Sequence, residues 1–60
     1  MKTQILLVED DKMIVETLTE FLQGEDFAVS AVDGQSKALE LVEERPFDLV
    51  LLDIALIDGE

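Results

Sequence analysis

Three short apolar runs, separated by two longer segments with helical periodicity, limit the folds open to this sequence. The runs cover residues 4–8, 27–32 and 48–52. The first and third are apolar almost throughout, which is typical of strands covered on both faces, whereas the second has small residues and suits a sheet edge. Because helical crossovers favour parallel strands, we predict an α/β fold with the order βαβαβ.

The two intervening segments each have an apolar stripe at helical spacing. The first helix is predicted over residues 12–23, with Asp10 or Asp11 as its N-cap and Gly24 as its stop. Its predicted buried stripe consists of Ile14, Leu18, Phe21 and Leu22. The second helix is predicted over about residues 35–44, before Pro46. Its predicted buried stripe consists of Ala38, Leu41 and Val42.

Acidic residues stand where two of the predicted strands end: Glu9 and Asp10 after the first, and Asp53 after the third. Ligands of open parallel sheets bind at the carboxyl ends of the strands. If the strand order is 2-1-3, the first and third strands are neighbours about 4.8 Å apart, and these carboxylates crowd one crevice. A hard divalent cation such as Mg²⁺ would relieve their repulsion and bring a phosphate beside a nucleophilic carboxylate.

Spacing alone leaves a simpler interpretation open. With 15 acidic residues among 60, acids at strand ends are expected by chance, and these could be a solvated helix cap and a polar strand terminus. The absence of cysteine and histidine excludes disulfides and thiolate or imidazole metal sites, which leaves oxygen ligands. The net charge of −11 disfavours nucleic acid and anionic membranes as direct partners. A membrane span is not expected, because the first apolar run is too short, and a cytoplasmic location fits the lack of cysteine.

The sequence resembles the receiver domains of two-component response regulators. Residues 5–11 (ILLVEDD) are similar to the opening strand and acidic pair of that family, and residues 46–54 (PFDLVLLDI) to its third strand and phosphoacceptor. The turn Asp33-Gly34 followed by Ala38-Leu39 is also like the family. The resemblance implies a CheY-like, flavodoxin-like parallel sheet in the order 2-1-3. Residues 1–60 would then form the N-terminal half of a receiver domain that is about twice as long.

By matched position, the resemblance implies that Asp53 accepts the phosphoryl group and that Asp10 binds Mg²⁺ directly. It implies Glu9 as an acidic partner acting through water, and the backbone carbonyl of Ala55 as another ligand. The donor would be a phosphohistidine on a sensor histidine kinase that docks partly on the first helix. Such a chain is a phosphoacceptor and not an enzyme, since it catalyses only its own phosphorylation, and only in a complete domain. Asp48 is expected to be structural.

Two departures from the family matter. Ile57 stands where many receivers have a proline that pre-sets the turn after the phosphoacceptor. The later hydroxyl residue, lysine and aromatic residue of the family have no counterpart, and Lys2, Lys12 and Lys37 do not match that lysine. The outer edge of the third strand would be bare and apolar, which predicts poor stability as a monomer and self-association at this edge.

Three functions are compatible with this sequence. The first is a phosphoacceptor, and the second is a half-domain that oligomerises or docks a kinase without phosphotransfer. An FMN-binding half-domain shares the topology, but the acidic residues 9–11 would repel the FMN phosphate. An output domain or DNA would be engaged only through parts outside this sequence.

Overall fold

A computed structural model describes residues 2–52 and has the expected order of elements. Its strands and helices are β1 (Thr3–Val8), α1 (Lys12–Gly24), β2 (Phe27–Val32), α2 (Gln35–Glu44) and β3 (Leu49–Leu52). The α/β order βαβαβ is thus confirmed, with boundaries close to those read from the sequence. Neither helix within residues 2–52 is long and apolar enough to cross a membrane.

The three strands form one parallel sheet in the order β2-β1-β3, as predicted. At its carboxyl end, Val8 of β1 pairs with Val32 of β2 on one side and with Leu52 of β3 on the other. The two crossovers run across the sheet in opposite directions, so right-handed connections put α1 and α2 on opposite faces. The central strand β1 is therefore covered on both sides, and its side chains from Ile5 to Val8 are at most 3% exposed.

One cluster of the buried core lies between β1 and α2. Leu6 and Val8 pack with Ala38 of α2, because alternate residues of a strand face the same side of the sheet. The half-buried side chains that surround this cluster are Val32, Leu41 and Phe47. The predicted stripe of α2 is confirmed for Ala38 and Leu41, whereas Val42 is exposed. Val42 lies outside the cluster that α2 forms with β1, so its side chain stays in solvent.

The predicted buried stripe of α1 is wrong in part. Leu18 and Leu22 are half-buried, but Ile14 is 43% and Phe21 63% exposed. α1 packs chiefly against the edge strand β2, so only one side of its stripe meets the sheet in the described structure. Periodicity predicts which residues share a helix face, but not how much of that face another layer covers.

α1 extends through Gly24, and the residue in the left-handed region is Asp26 (φ 71°), two positions beyond the predicted stop. The Glu25 N–H donates to the carbonyl oxygen of Phe21 (3.2 Å), and the Asp26 N–H donates to that of Gln23 (3.0 Å). These bonds satisfy carbonyls left open by the helix end. An aspartate at positive φ holds a conformation that a glycine adopts at lower cost.

Two hydrogen bonds tie the start of β3 to β1. The Asp48 N–H donates to the carbonyl oxygen of Gln4 (2.8 Å), and the Gln4 N–H donates to Oδ2 of Asp48 (2.7 Å). The expected structural role of Asp48 is therefore confirmed.

The other edge of β3 has no partner strand among the described residues. Leu49, Val50 and Leu52 are 49%, 40% and 50% exposed. Because these side chains are exposed, the expectation that the third strand is covered on both faces is wrong within residues 2–52. The expectation of a bare apolar edge on the third strand is confirmed for the described residues.

Candidate functional site

A cleft of about 640 Å³ opens at the carboxyl ends of β1 and β2, beside the first turns of α1 and α2. This is the edge at which open parallel sheets bind ligands. Four carboxylates and two ammonium groups line it, together with apolar side chains. The charged residues are Glu9, Asp10, Lys12, Glu16, Asp33 and Lys37. The cleft therefore gathers two of the predicted site residues with charges that the sequence did not link to them.

Glu9 is the one charged side chain in the described part of the chain that is buried, at 8% exposed. Its backbone extends the pairing of β1 with β2, because the Glu9 N–H donates to the carbonyl oxygen of Val32 (3.0 Å). Its side chain turns toward the following loop, where Oε2 accepts the Asp11 N–H at 3.1 Å. The end of β1 thus holds this carboxylate in one place at the floor of the cleft.

Asp11 caps α1, which settles the choice left open between Asp10 and Asp11. Its Oδ1 accepts the N–H groups of Met13 (2.9 Å) and Ile14 (3.3 Å). These are amides that a helix start leaves without intrahelical partners. Glu9 holds the Asp11 backbone and Asp11 holds the helix, so the loop that carries Asp10 is fixed on both sides.

The donors at Glu9 and Asp10 fit a hard cation. Mg²⁺ binds one or two carboxylates and completes its octahedron with water and phosphate oxygens. Asp10 is exposed and has no hydrogen bond or ion pair within the described structure, so its carboxylate is available as a direct ligand. Glu9 already accepts a backbone N–H, which suits a role through water.

Asp53 and Ala55, the other predicted site residues, lie outside the described residues, as does Ile57. β1 and β3 are parallel neighbours with Val8 opposite Leu52. The strand adjacency is therefore confirmed, whereas the roles of Asp53 and Ala55 stay predictions. Within residues 2–52, no three acidic side chains come together as a metal-binding group.

Lys12, Asp33 and Lys37 line the cleft beside Glu9 and Asp10, but they were not predicted as site residues. Lys12 is the first residue of α1, Asp33 follows β2 directly, and Lys37 lies in the first turn of α2. The signal was present in the predicted topology, since segments that follow parallel strands begin at the same edge of the sheet. The sequence alone did not predict that these side chains border one cleft.

Comparison with known proteins shows the family. The family model described as "Response regulator receiver domain" matches residues 5–60. The chain is 45% identical to the DNA-binding response regulator MtrA of Mycolicibacterium smegmatis over 93% of this chain and 25% of that protein. It is 38% identical to the regulatory protein VanRc of Enterococcus gallinarum over 98% of this chain and 26% of that protein.

A third relative, the response regulator protein GraR of Staphylococcus haemolyticus, is 36% identical over 88% of this chain and 24% of its own length. No solved structure gives a significant match. The chain thus spans about a quarter of the length of the relatives it matches. The family match extends over nearly the whole sequence and agrees with the parallel 2-1-3 sheet. This chain therefore belongs to the response regulator receiver domain family of two-component regulatory systems.

Proposed function

We propose that this chain accepts a phosphoryl group on Asp53 from the phosphohistidine of a sensor histidine kinase, with Mg²⁺ at the site. The observation that carries the proposal is the parallel register of β1 and β3, in which Val8 lies opposite Leu52. In the sequence, Glu9 follows Val8 and Asp53 follows Leu52. Family membership adds support, because a receiver domain implies a phosphoacceptor role.

In the proposed transfer, a carboxylate oxygen of Asp53 attacks the phosphorus atom and the P–N bond to the kinase imidazole breaks. The electron pair of that bond stays on the imidazole nitrogen, and the products are an aspartyl phosphate and a free histidine. Glu9 and Asp10 would hold Mg²⁺, with the Ala55 carbonyl as a further proposed ligand. When bound, the cation would neutralise charge on the phosphoryl oxygens.

Asp11 contributes to this function by position. Its cap on α1 and the bond from its N–H to Glu9 keep the loop between β1 and α1 in one arrangement. A metal-binding pair gains from such support, since ligands fixed before binding lose less freedom when the cation arrives.

The test is phosphorylation by acetyl phosphate with Mg²⁺, followed by the mass of the intact chain. We expect one added phosphoryl group in the wild type, none in Asp53→Asn and none when EDTA removes the metal. The Asn variant is a matched control because it keeps the size of the side chain and removes the nucleophilic carboxylate. An equal adduct on Asp53→Asn would contradict the assignment of the acceptor.

The exposed edge of β3 favours a second candidate function, a half-domain that acts by association. Leu49, Val50 and Leu52 present apolar surface at a strand without a second partner in the described structure. Unpaired strand edges of this kind invite pairing with another chain. Size-exclusion chromatography with light scattering would detect such association as a mass above that of one chain. A monomer that becomes phosphorylated would instead favour the first function, phosphoacceptance.

An output domain is the remaining partner proposed for the parent protein. The relative MtrA is named a DNA-binding response regulator, but the match covers a quarter of that protein. The net charge of −11 opposes contact between this segment and a phosphate backbone. We therefore propose that any DNA binding belongs to regions outside these 60 residues.

A further inference from the structure

β2 has one strand partner and one open edge among the described residues. It pairs with β1 alone, because β1 is the central strand of the order β2-β1-β3. Consecutive residue pairs join the two strands, from Thr3 opposite Phe27 to Val8 opposite Val32, so β2 contains no bulge. With 6 residues against the 4 of β3, β2 presents the longer of the two open edges in this part of the chain.

The hydrogen bonds of β2 show which of its residues face the open edge. The carbonyl oxygen of Val32 accepts the Glu9 N–H at 3.0 Å, so the backbone of Val32 faces β1. Successive residues of a strand direct their backbone groups alternately to one side and the other. Phe27, Val29 and Ala31 lie an odd number of residues from Val32 and therefore direct their N–H and carbonyl groups away from β1. These three residues offer donors and acceptors to a further strand.

β2 lacks the features that usually protect an open strand edge. Residues 27–32 (FAVSAV) contain no charged residue and no proline. Natural proteins block open edges with charged side chains, prolines or bulges. An unblocked edge is the surface to which an extended peptide segment can add as a further strand.

Acidic residues flank both ends of this edge and disfavour a second copy of the chain as the partner. Glu25 and Asp26 precede β2, and Asp33 follows it. Two copies paired antiparallel in full register about a two-fold axis would place Asp26 of each opposite Asp33 of the other. Like charges directly opposite each other destabilise a strand pair, and the net charge of −11 on each chain adds repulsion. The complementary segment therefore has basic residues at both ends.

The carboxylates at the start of β2 already attract a cation. Nζ of Lys2 lies 3.7 Å from Oδ1 of Asp26, and the two side chains are 58% and 84% exposed. A long ion pair in solvent contributes little, so a basic side chain of a partner can replace Lys2. Glu25 and Asp33 form no ion pair within residues 2–52. Each end of the edge thus has a carboxylate that can accept a positive charge.

We propose that the open edge of β2 docks an extended segment of another protein, in which uncharged β-forming residues lie between basic residues at both ends. The segment adds as a fourth strand, with main-chain hydrogen bonds to Phe27, Val29 and Ala31 and with ion pairs to the flanking acids. The inference is independent of phosphoacceptance, because none of the proposed phosphoacceptor and metal-binding residues takes part.

The probe is the synthetic peptide KKVTVTVKK, added to the full chain in buffer without Mg²⁺. The matched control peptide is KKVTPTVKK, which has the same charge but a proline that removes a main-chain donor from its centre. NMR shifts of the backbone amides give the Kd, and hydrogen exchange of individual amides identifies the edge that is used. We expect KKVTVTVKK to slow exchange at Val29 and Ala31 and to leave residues 49–52 unchanged, whereas KKVTPTVKK should protect neither edge.

Charge variants test the flanking acids. Glu25→Gln, Asp26→Asn and Asp33→Asn should raise the Kd for KKVTVTVKK about threefold for each charge removed, as for solvent-exposed ion pairs. Asn is chosen at position 26 because it tolerates the left-handed backbone of that residue. The control is the double variant Glu40→Gln and Glu43→Gln, which removes two exposed charges of α2 and should bind like the wild type. Thermal unfolding of each variant reports whether the fold is retained.

Three results would overturn the inference. Equal affinity for KKVTVTVKK and KKVTPTVKK would mean that the acidic chain attracts basic peptides by charge alone. Slower exchange at residues 49–52, in place of Val29 and Ala31, would assign the docking edge to β3. Protection of Val29 and Ala31 that appears without peptide and increases with the concentration of the chain would make a second copy the partner of this edge.

Discussion

Removal of the Asp48 carboxylate should loosen β3 from β1. In the folded chain, Oδ2 of Asp48 accepts the Gln4 N–H at 2.7 Å, while the Asp48 N–H donates to the carbonyl oxygen of Gln4. Asp48→Ala removes the first bond and keeps the second. Because a net hydrogen bond contributes about 1 kcal/mol, and Gln4 is half-buried, we expect a loss of about 1 kcal/mol.

Thermal unfolding followed by far-UV circular dichroism measures this loss. For a domain of this size, 1 kcal/mol corresponds to a fall in Tm of about 4–8 °C. Asp48→Asn is the matched control, because its amide oxygen can still accept the Gln4 N–H, so its fall should be less than half as large. Amide exchange gives a local readout, in which the Gln4 N–H loses protection in the Ala variant and retains most of it in the Asn variant.

Two results would refute this reasoning. One is an Asp48→Ala chain with the wild-type Tm and a protected Gln4 amide, which would mean that the carboxylate contributes nothing to the junction. The other is an Asn variant as unstable as the Ala variant, which would assign the effect to the negative charge and not to the acceptor atom.

Three further changes test the rest of the fold. Asp11→Ala should lower the free energy of unfolding by about 1 kcal/mol because two helix amides lose their acceptor, while Asp11→Asn should stay close to the wild type. Equal stabilities of the two variants in urea unfolding would contradict the role of Asp11 as the cap. Asp26→Gly should raise the free energy of unfolding by up to about 1 kcal/mol, since the φ of Asp26 is 71° and its exposed ion pair with Lys2 is weak. A lower Tm for this variant would contradict the backbone strain assigned to Asp26. Leu6→Ala should lower the free energy of unfolding by about 2–5 kcal/mol because Leu6 is fully buried, and this loss is enough to unfold most of a chain this small. A cooperative thermal transition near the wild-type Tm would contradict the place of Leu6 in the core.

The fold was predictable because two local signals agree. Short apolar runs alternate with helical stripes, and parallel strands require crossovers, so the order βαβαβ follows from periodicity and connection length alone. The small residues of β2 marked it as an edge strand, which the sheet order β2-β1-β3 confirms. The acidic residues after β1 were likewise found from sequence, because a strand end at the carboxyl edge of a parallel sheet is a binding position.

What sequence could not give depends on contacts between distant elements. Phe21 belongs to the apolar face of α1, yet its exposure depends on which layer lies over that face. Gly24 was the obvious helix stop, but the left-handed turn falls on Asp26, since the last carbonyls are satisfied two residues later. Lys12 and Lys37 are 25 positions apart in the chain, and only the packing of both helix starts beside β1 and β2 makes them lining residues of one cleft.

The most direct test of the central claim is to identify the carboxyl group that carries the phosphoryl group. After incubation with acetyl phosphate and Mg²⁺, borohydride reduces an aspartyl phosphate to homoserine, and peptide sequencing by mass spectrometry locates the converted residue. Our account predicts homoserine at position 53 and at no other acidic position, and no conversion without Mg²⁺. Conversion at Glu9, Asp10 or another acid, or no conversion under conditions that label an intact receiver domain, would contradict it.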